Sequence, residues 1–415
     1  MTKQTSSISR LGKTRLIHGL PIFIYATALA LGMIAFVNNP ERSVSFHYER
    51  AAERWVGGES LYEHSKDSGH GFLYLPQAAI LHTPYAFASA ISGWPLFGDL
   101  LWRLFSWSML AWATMRLSSV IFSDWRDSCG VSASTNRIDW RIALATSMLG
   151  LSCLRIGQST LLMTAIMLLC LDCWYRERYP LCAALAVLAI CVKPLAIVLP
   201  MLLFVVTPKT RKPLLFGGIL ALAAPFVLQS PTYVWQQYVD CVAMLRTASN
   251  AEVIAYWAQP FSMLSQFGID IPSQFLHPIR AAAALVVLVI VMAATRNLSR
   301  SRQVLWLFAW TGIYLMLFNP RTENSTYALI GPLYGWYIAK AELESRRIAG
   351  WFAFGLLILT MGSHEIGKHF TPADGSANWL APLCCCVLTA MLAIEFLSEM
   401  KQTQQDADDL PSCSR

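Results

Sequence analysis

Residues 47–77 read HYERAAERWVGGESLYEHSKDSGHGFLYLPQ, a stretch dense in charged, histidine and aromatic residues between two long apolar runs. Those runs decide the fold class. Outward from this stretch, apolar segments fall near 17–37, 72–92, 98–122, 141–156, 159–175, 180–206, 214–230, 279–296, 303–318, 325–340, 348–363 and 379–397. Most have the length, about 17–25 residues, that covers roughly 30 Å of hydrocarbon. Lipid offers no partner to a bare backbone N–H or C=O, so each is expected to be a helix. With 55% hydrophobic and only 14% charged residues in 415, the chain holds more apolar side chains than a soluble domain hides. The expected fold is all-α, a polytopic integral membrane bundle of about twelve transmembrane helices.

Lys3, Arg10, Lys13 and Arg15 precede the first run like the leader of a signal peptide. The run itself is long and lacks a small-residue cleavage site, so it is expected to stay as the first helix. With residues 1–16 cytoplasmic, an even number of passes puts the short basic loops PKTRK (208–212), RNLSRSR (296–302) and KAELESRR (340–347) on the cytoplasmic side. Loops 38–71 and 231–278 are then exterior parts of a transmembrane domain over 17–400. Residues 401–415 form a polar cytoplasmic tail expected to be disordered. The scheme leaves 123–141, with three arginines, on the exterior, against the trend.

The net charge of +7 is scattered among loops and forms no stripe, so membrane lipids are expected partners and nucleic acid is not. Most of the eleven cysteines lie inside apolar runs, where a thiol behaves as a small hydrophobe. Cys170 and Cys173 form a C-x-x-C without a second pair, so no metal and no cofactor are expected. No internal repeat is visible, and many secondary transporters have one.

Within the opening stretch, Tyr48, Ala51, Ala52 and Trp55 recur at helical spacing, with Glu49, Arg50, Glu53 and Arg54 on the other face. This predicts an amphipathic helix on the membrane surface, anchored by Trp55 at headgroup level and stopped by Gly57 and Gly58.

The pattern Y-x-x-A-A-x-x-W-x-x-G-x-x-L-Y followed by FLYLPQAA resembles glycosyltransferase family 87 of the GT-C superfamily. GQSTLL (157–162), CVKPLAIVLP (191–200) and NPRTENSTYALIGP (319–332) fall where that family carries its other recurring blocks, so the likeness covers roughly 15–340. The resemblance implies a GT-C-like bundle that takes a sugar, commonly mannose or arabinose, from a polyprenyl-phosphate donor on the exterior face of the cell membrane. The acceptor would be a lipid or glycan. The family's usual catalytic aspartate, at the start of the first exterior helix in a D-F-x-x-Y-Y context, has no counterpart here. The matching positions read Val44 and Ser45.

Such a transfer needs a base for the acceptor hydroxyl, cations for the departing lipid phosphate, and a groove open to lipid. Glu49, about one turn from the vacant position, is the first candidate base, with His70, Glu53 and Asp67 in reserve. Arg321 is the candidate phosphate ligand, since its planar fork matches phosphate oxygens and it sits with Glu323 and Asn324 in a polar break between apolar runs. Lys193 precedes a helix-breaking proline in an apolar run, where it either snorkels or meets an anionic ligand. Tyr48, Tyr74, Gln77, Arg155 and Gln158 complete the expected binding set. The competing readings are a non-enzymatic transporter or flippase of a lipid-linked substrate, or an inactive member of the same family.

Overall fold

The structure, a computed structural model, describes residues 5–63, 71–128, 139–248, 257–371 and 378–408, and among them it is helical without a strand. Four helices are long and apolar enough to cross a membrane: Gly19–Asn38, Pro208–Leu228, Ser273–Asn297 and Leu380–Asp406. At the centre stand α6 (Thr160–Tyr175), buried from Thr160 to Trp174, and α14 (Arg300–Phe318). Helices apolar on every side must be buried on every side. Around them pack α1 (Thr5–Asn38), α4 (Phe97–Ser128), α5 (Asp139–Ile156), α7 (Tyr179–Val192) and α15 (Gly331–Leu343). Four fully buried tryptophans stitch the helices together, because a buried indole N–H needs an acceptor. Trp107 donates to the Tyr25 carbonyl at 2.9 Å and Trp174 to Thr207 Oγ1 at 2.8 Å. Trp306 donates to Glu399 Oε2 at 2.9 Å and Trp336 to Ser118 Oγ at 2.7 Å.

The expected amphipathic helix is α2 (Ser45–Gly57), ended by Gly58 in the left-handed region at φ 70°. Its apolar face, however, is covered by protein. Trp55 is only 4% exposed and stacks on Tyr233 at 5.5 Å, so it is no headgroup anchor. Tyr48, Trp55, Tyr62, Phe72, Val234 and Met244 build a second small core between α2, α3 (Pro76–Ser92) and α11 (Pro231–Ala248). This layer roofs one end of the bundle.

The segment expected at 72–92 forms α3, whose start lies beside the turn that joins α5 to α6 and whose end packs on the start of α4. At its start the Tyr74 hydroxyl lies 2.8 Å from that of Tyr48, which accepts the Ser159 N–H at 3.3 Å. At its end Ser89 Oγ accepts the Gly98 N–H, and one turn further Trp102 donates to the Gly157 carbonyl at 2.9 Å. α3 packs against α2 in the layer that roofs the bundle. The run 180–206, expected as one segment, is two helices. Pro194 lacks the N–H that would continue α7, the chain turns through a 3-10 segment Pro194–Ile197, and α8 (Val198–Val206) returns so that Thr207 reaches Trp174.

The basic loops gather at the opposite end. The Arg300 guanidinium stacks on Trp174 at 3.8 Å, and Lys209 lies 5.4 Å from the Tyr179 ring. Lys340 pairs with Glu395 and Glu399, and Arg346 with Glu395 at 2.7 Å. Arg141 pairs with Glu342, so the start of α5 belongs to this end and not to the roofed one. Helix α18 (Leu380–Asp408) continues past Met400, which makes 401–408 of the expected disordered tail helical.

α5 and α15 approach so closely that a Cβ added at Gly335 would lie 2.6 Å from Ile142 Cα. Gly335→Ala is expected to cost about 1–3 kcal/mol by overpacking. Gly355→Ala, where nothing lies within 4 Å, should not destabilise. Thermal unfolding in detergent that ranks the two variants equally would contradict this close packing.

Candidate active site

Two cavities lie beneath the roof. The first, about 220 Å³, is lined by Tyr74, Lys193, Leu245, Trp257, Asn319, Arg321 and Glu323 among others. The second, about 300 Å³, is an apolar groove between α3, α4, α6 and α7, lined by side chains such as Leu81, His82, Phe105, Ile166 and Leu188. Tyr74 belongs to both walls. A charged chamber and an apolar groove are thus neighbours.

The chamber's charges rest on a hydrogen-bonded network. Gln158 Nε2 donates to Glu323 Oε2 at 2.6 Å, and Ser325 Oγ donates to the same oxygen at 3.1 Å. Gln158 Oε1 accepts from Thr160 Oγ1 at 2.9 Å, and Thr160 in turn accepts from Lys193 Nζ at 2.8 Å. Lys193 owes its position to Pro194, which ends α7 and leaves the lysine in extended conformation at the tip of the α7–α8 hairpin. Arg321 lies over the Trp257 ring at 4.7 Å. Burial disfavours the charged guanidinium and lowers its pKa, while Glu323 opposes that shift. The loop that carries both residues is pinned by Asn319 Nδ2 donating to the Arg321 carbonyl at 2.8 Å and by the Ala258 N–H donating to the Thr322 carbonyl at 2.6 Å.

Of the residues expected from sequence, Tyr74, Lys193, Arg321 and Glu323 line the chamber, Gln158 stands one hydrogen bond behind it, and Tyr48 backs Tyr74. The others point elsewhere. Glu49 faces Ser89 and Asp99 and lines neither cavity; burial raises its carboxyl above the ordinary range, Asp99 and Glu53 push the same way, and Ser89 opposes them. Gln77 donates to the Ala221 carbonyl and to Tyr238, which ties α3 to its neighbours. Arg155 is exposed, and Asn324 donates to Asn378 at 2.7 Å. His70 and Asp67 lie outside the described residues. Sequence reasoning missed Trp257, Asn319, Thr160 and Ser325. Asn319 opens the NPRTEN block, Ser325 follows it and Thr160 lies in GQSTLL, so membership of or proximity to a polar motif was the available signal; Trp257 carried none.

The chain matches the model of glycosyltransferase family 87 over residues 72–320, more than half its length. It belongs to glycosyltransferase family 87. Membership makes it a membrane glycosyltransferase, and the matched region contains the groove, except for Tyr48, and most of the chamber wall. Arg321 and Glu323 lie immediately beyond it. No curated protein matches the chain significantly. The corner where the family 87 aspartate is expected is occupied differently here: Arg103 donates to Ser43 Oγ at 2.7 Å and to Ser45 Oγ at 3.2 Å. Gly157, at φ 71°, makes room for it, since a Cβ there would come within 2.7 Å of Arg103 Nη2 and of Ser45 Oγ.

Replacing Gln158 by leucine removes a charge-assisted hydrogen bond and leaves Glu323 short of a donor, for an expected loss of about 1.5–3 kcal/mol. A Gln158→Leu protein that melts at the wild-type temperature would show that the network bears no load.

Proposed function

We propose that the protein moves a sugar, mannose in the first instance, from a polyprenyl-phosphate donor to a lipid or glycan acceptor at the exterior face of the cell membrane. The observation that carries this reading is the adjacency of two cations, Lys193 and Arg321, to an apolar groove of about 300 Å³ across a shared tyrosine. A polyprenyl-phosphate sugar has this same division. Its isoprenoid suits the groove, and its phosphate suits the ammonium and the guanidinium fork.

When the anomeric carbon–oxygen bond breaks, negative charge grows on the phosphate. Lys193 and Arg321 sit in a part-buried chamber where water screens them weakly, so they stabilise that charge more in the transition state than in the ground state. Lys193 spends one of its three donors on Thr160 and presents the others to the chamber.

Sidedness follows from charge. The basic loops 208–212, 296–302 and 340–347 share the end remote from the chamber, and lysine and arginine favour the cytoplasmic side. The chamber is therefore assigned to the exterior, with both termini of the twelve-pass topology inside. The ion cluster of Lys340, Glu395 and Glu399 lies at the remote end. That asymmetry supports an enzyme over a transporter, which needs access from both faces.

Purified protein with a polyprenyl-phosphate-mannose donor and a panel of lipid and glycan acceptors tests the reading. Wild type should release polyprenyl phosphate in step with product. Arg321→Lys should fold normally and lose on the order of 10²-fold in rate, because a point charge does not replace the bidentate fork. Unchanged turnover in Arg321→Lys would remove Arg321 from the phosphate site.

A further inference from the structure

Sugar transfer from a lipid phosphate requires a group that takes the acceptor's proton. Among the described residues lining the chamber, one carboxylate is present, that of Glu323. Glu49 does not reach it, and the corner at Val44 and Ser45 is filled by the Arg103 guanidinium, which also stacks on Phe36 at 3.5 Å. Glu323 is also unusually well oriented. Gln158 and Ser325 hold Oε2 from two directions, and Thr326 Oγ1 accepts the Glu323 backbone N–H at 3.3 Å, so both the side chain and the backbone of the residue are fixed. The two cations proposed to meet the phosphate, Lys193 and Arg321, line the same small chamber.

Resting on the lipid-phosphate reading above, we infer that Glu323 is the general base of the transfer, with Gln158 and Ser325 as its positioning residues. The acceptor hydroxyl oxygen forms a bond to the anomeric carbon while the bond from that carbon to the phosphate oxygen breaks. The electron pair leaves with the phosphate, which gains one negative charge, and the hydroxyl proton passes to the Glu323 carboxylate and then to water. The hydroxyl becomes strongly acidic only once its oxygen has begun to bond to an electron-poor anomeric carbon, so a carboxylate oriented by Gln158 and Ser325 suffices. A network that fixes the carboxylate also fixes its distance to the reacting hydroxyl, where small misplacements are costly.

The test compares wild type, Glu323→Gln and Glu323→Asp for kcat with a polyprenyl-phosphate-mannose donor, and for donor Kd measured without acceptor. The glutamine variant keeps the shape and a hydrogen-bonding capacity toward Gln158 and Ser325. It should lose about 10²–10⁴-fold in kcat with donor Kd within threefold of wild type. The aspartate variant should retain donor binding and lie between the two in kcat. A glutamine variant within tenfold of wild-type kcat overturns the assignment, and so does a loss in kcat matched by an equal loss in donor binding. If the glutamine variant does not fold, the aspartate variant decides by the same split between kcat and Kd. A wild type that transfers no sugar from this donor class defeats the underlying reading and the base together, whereas wild-type turnover with an unimpaired glutamine variant defeats the base alone.

Discussion

The hydrogen bond from Gln158 to Glu323 joins two parts of the chain 165 residues apart, the turn between α5 and α6 and the loop that follows α14. A carboxylate at the rim of an apolar bundle is costly unless donors meet it, and an ammonium there is costly for the same reason. Here one glutamine addresses both charges. Its amide nitrogen serves Glu323, and its carbonyl serves Lys193 through Thr160. Removing it would strand polar groups on three elements at once. The chamber exists because these groups satisfy one another while leaving their remaining capacity turned inward.

Much of the chamber's lining was readable before any fold was known. A lysine before a proline in an apolar run announces a broken helix with a cation at the break, and NPRTEN between two apolar runs announces a polar loop with work to do. The helical spacing of Tyr48, Ala51, Ala52 and Trp55 likewise gave α2 and its buried face correctly. What covers that face was not readable, because amphipathicity is the same whether the partner is lipid or another helix. Glu49 stands outside the chamber for a simpler geometric reason. It adjoins Tyr48 in sequence, but successive helical residues point roughly 100° apart, so when Tyr48 turns to Tyr74, Glu49 turns to Ser89. Gln77 is spent on partners more than 140 residues away, which no local pattern reveals.

The path of the chain removes a difficulty. α4 and α5 place Arg141 at the basic end, where it finds Glu342. The arginines near 123–141 had stood against the distribution of charge, and α4 and α5 now bring residue 141 to the side where the other basic loops lie. The same path sets Trp102, Phe105 and Met109 of α4 against α3 and α6, and so makes one wall of the groove. Charge distribution and groove thus share one cause, the course of α4 beside α3.

The central claim is that one chamber holds the donor's phosphate while the adjoining groove holds its chain. A structure of the protein with a bound polyprenyl-phosphate sugar tests it most directly. The phosphate should lie between Lys193 Nζ and the Arg321 guanidinium, with the first isoprene units passing Tyr74 into the groove along Leu81, Phe105 and Leu188. A phosphate bound at the opposite end beside Arg346 and Arg347, or a chain lying outside α3 with the groove collapsed, would contradict it.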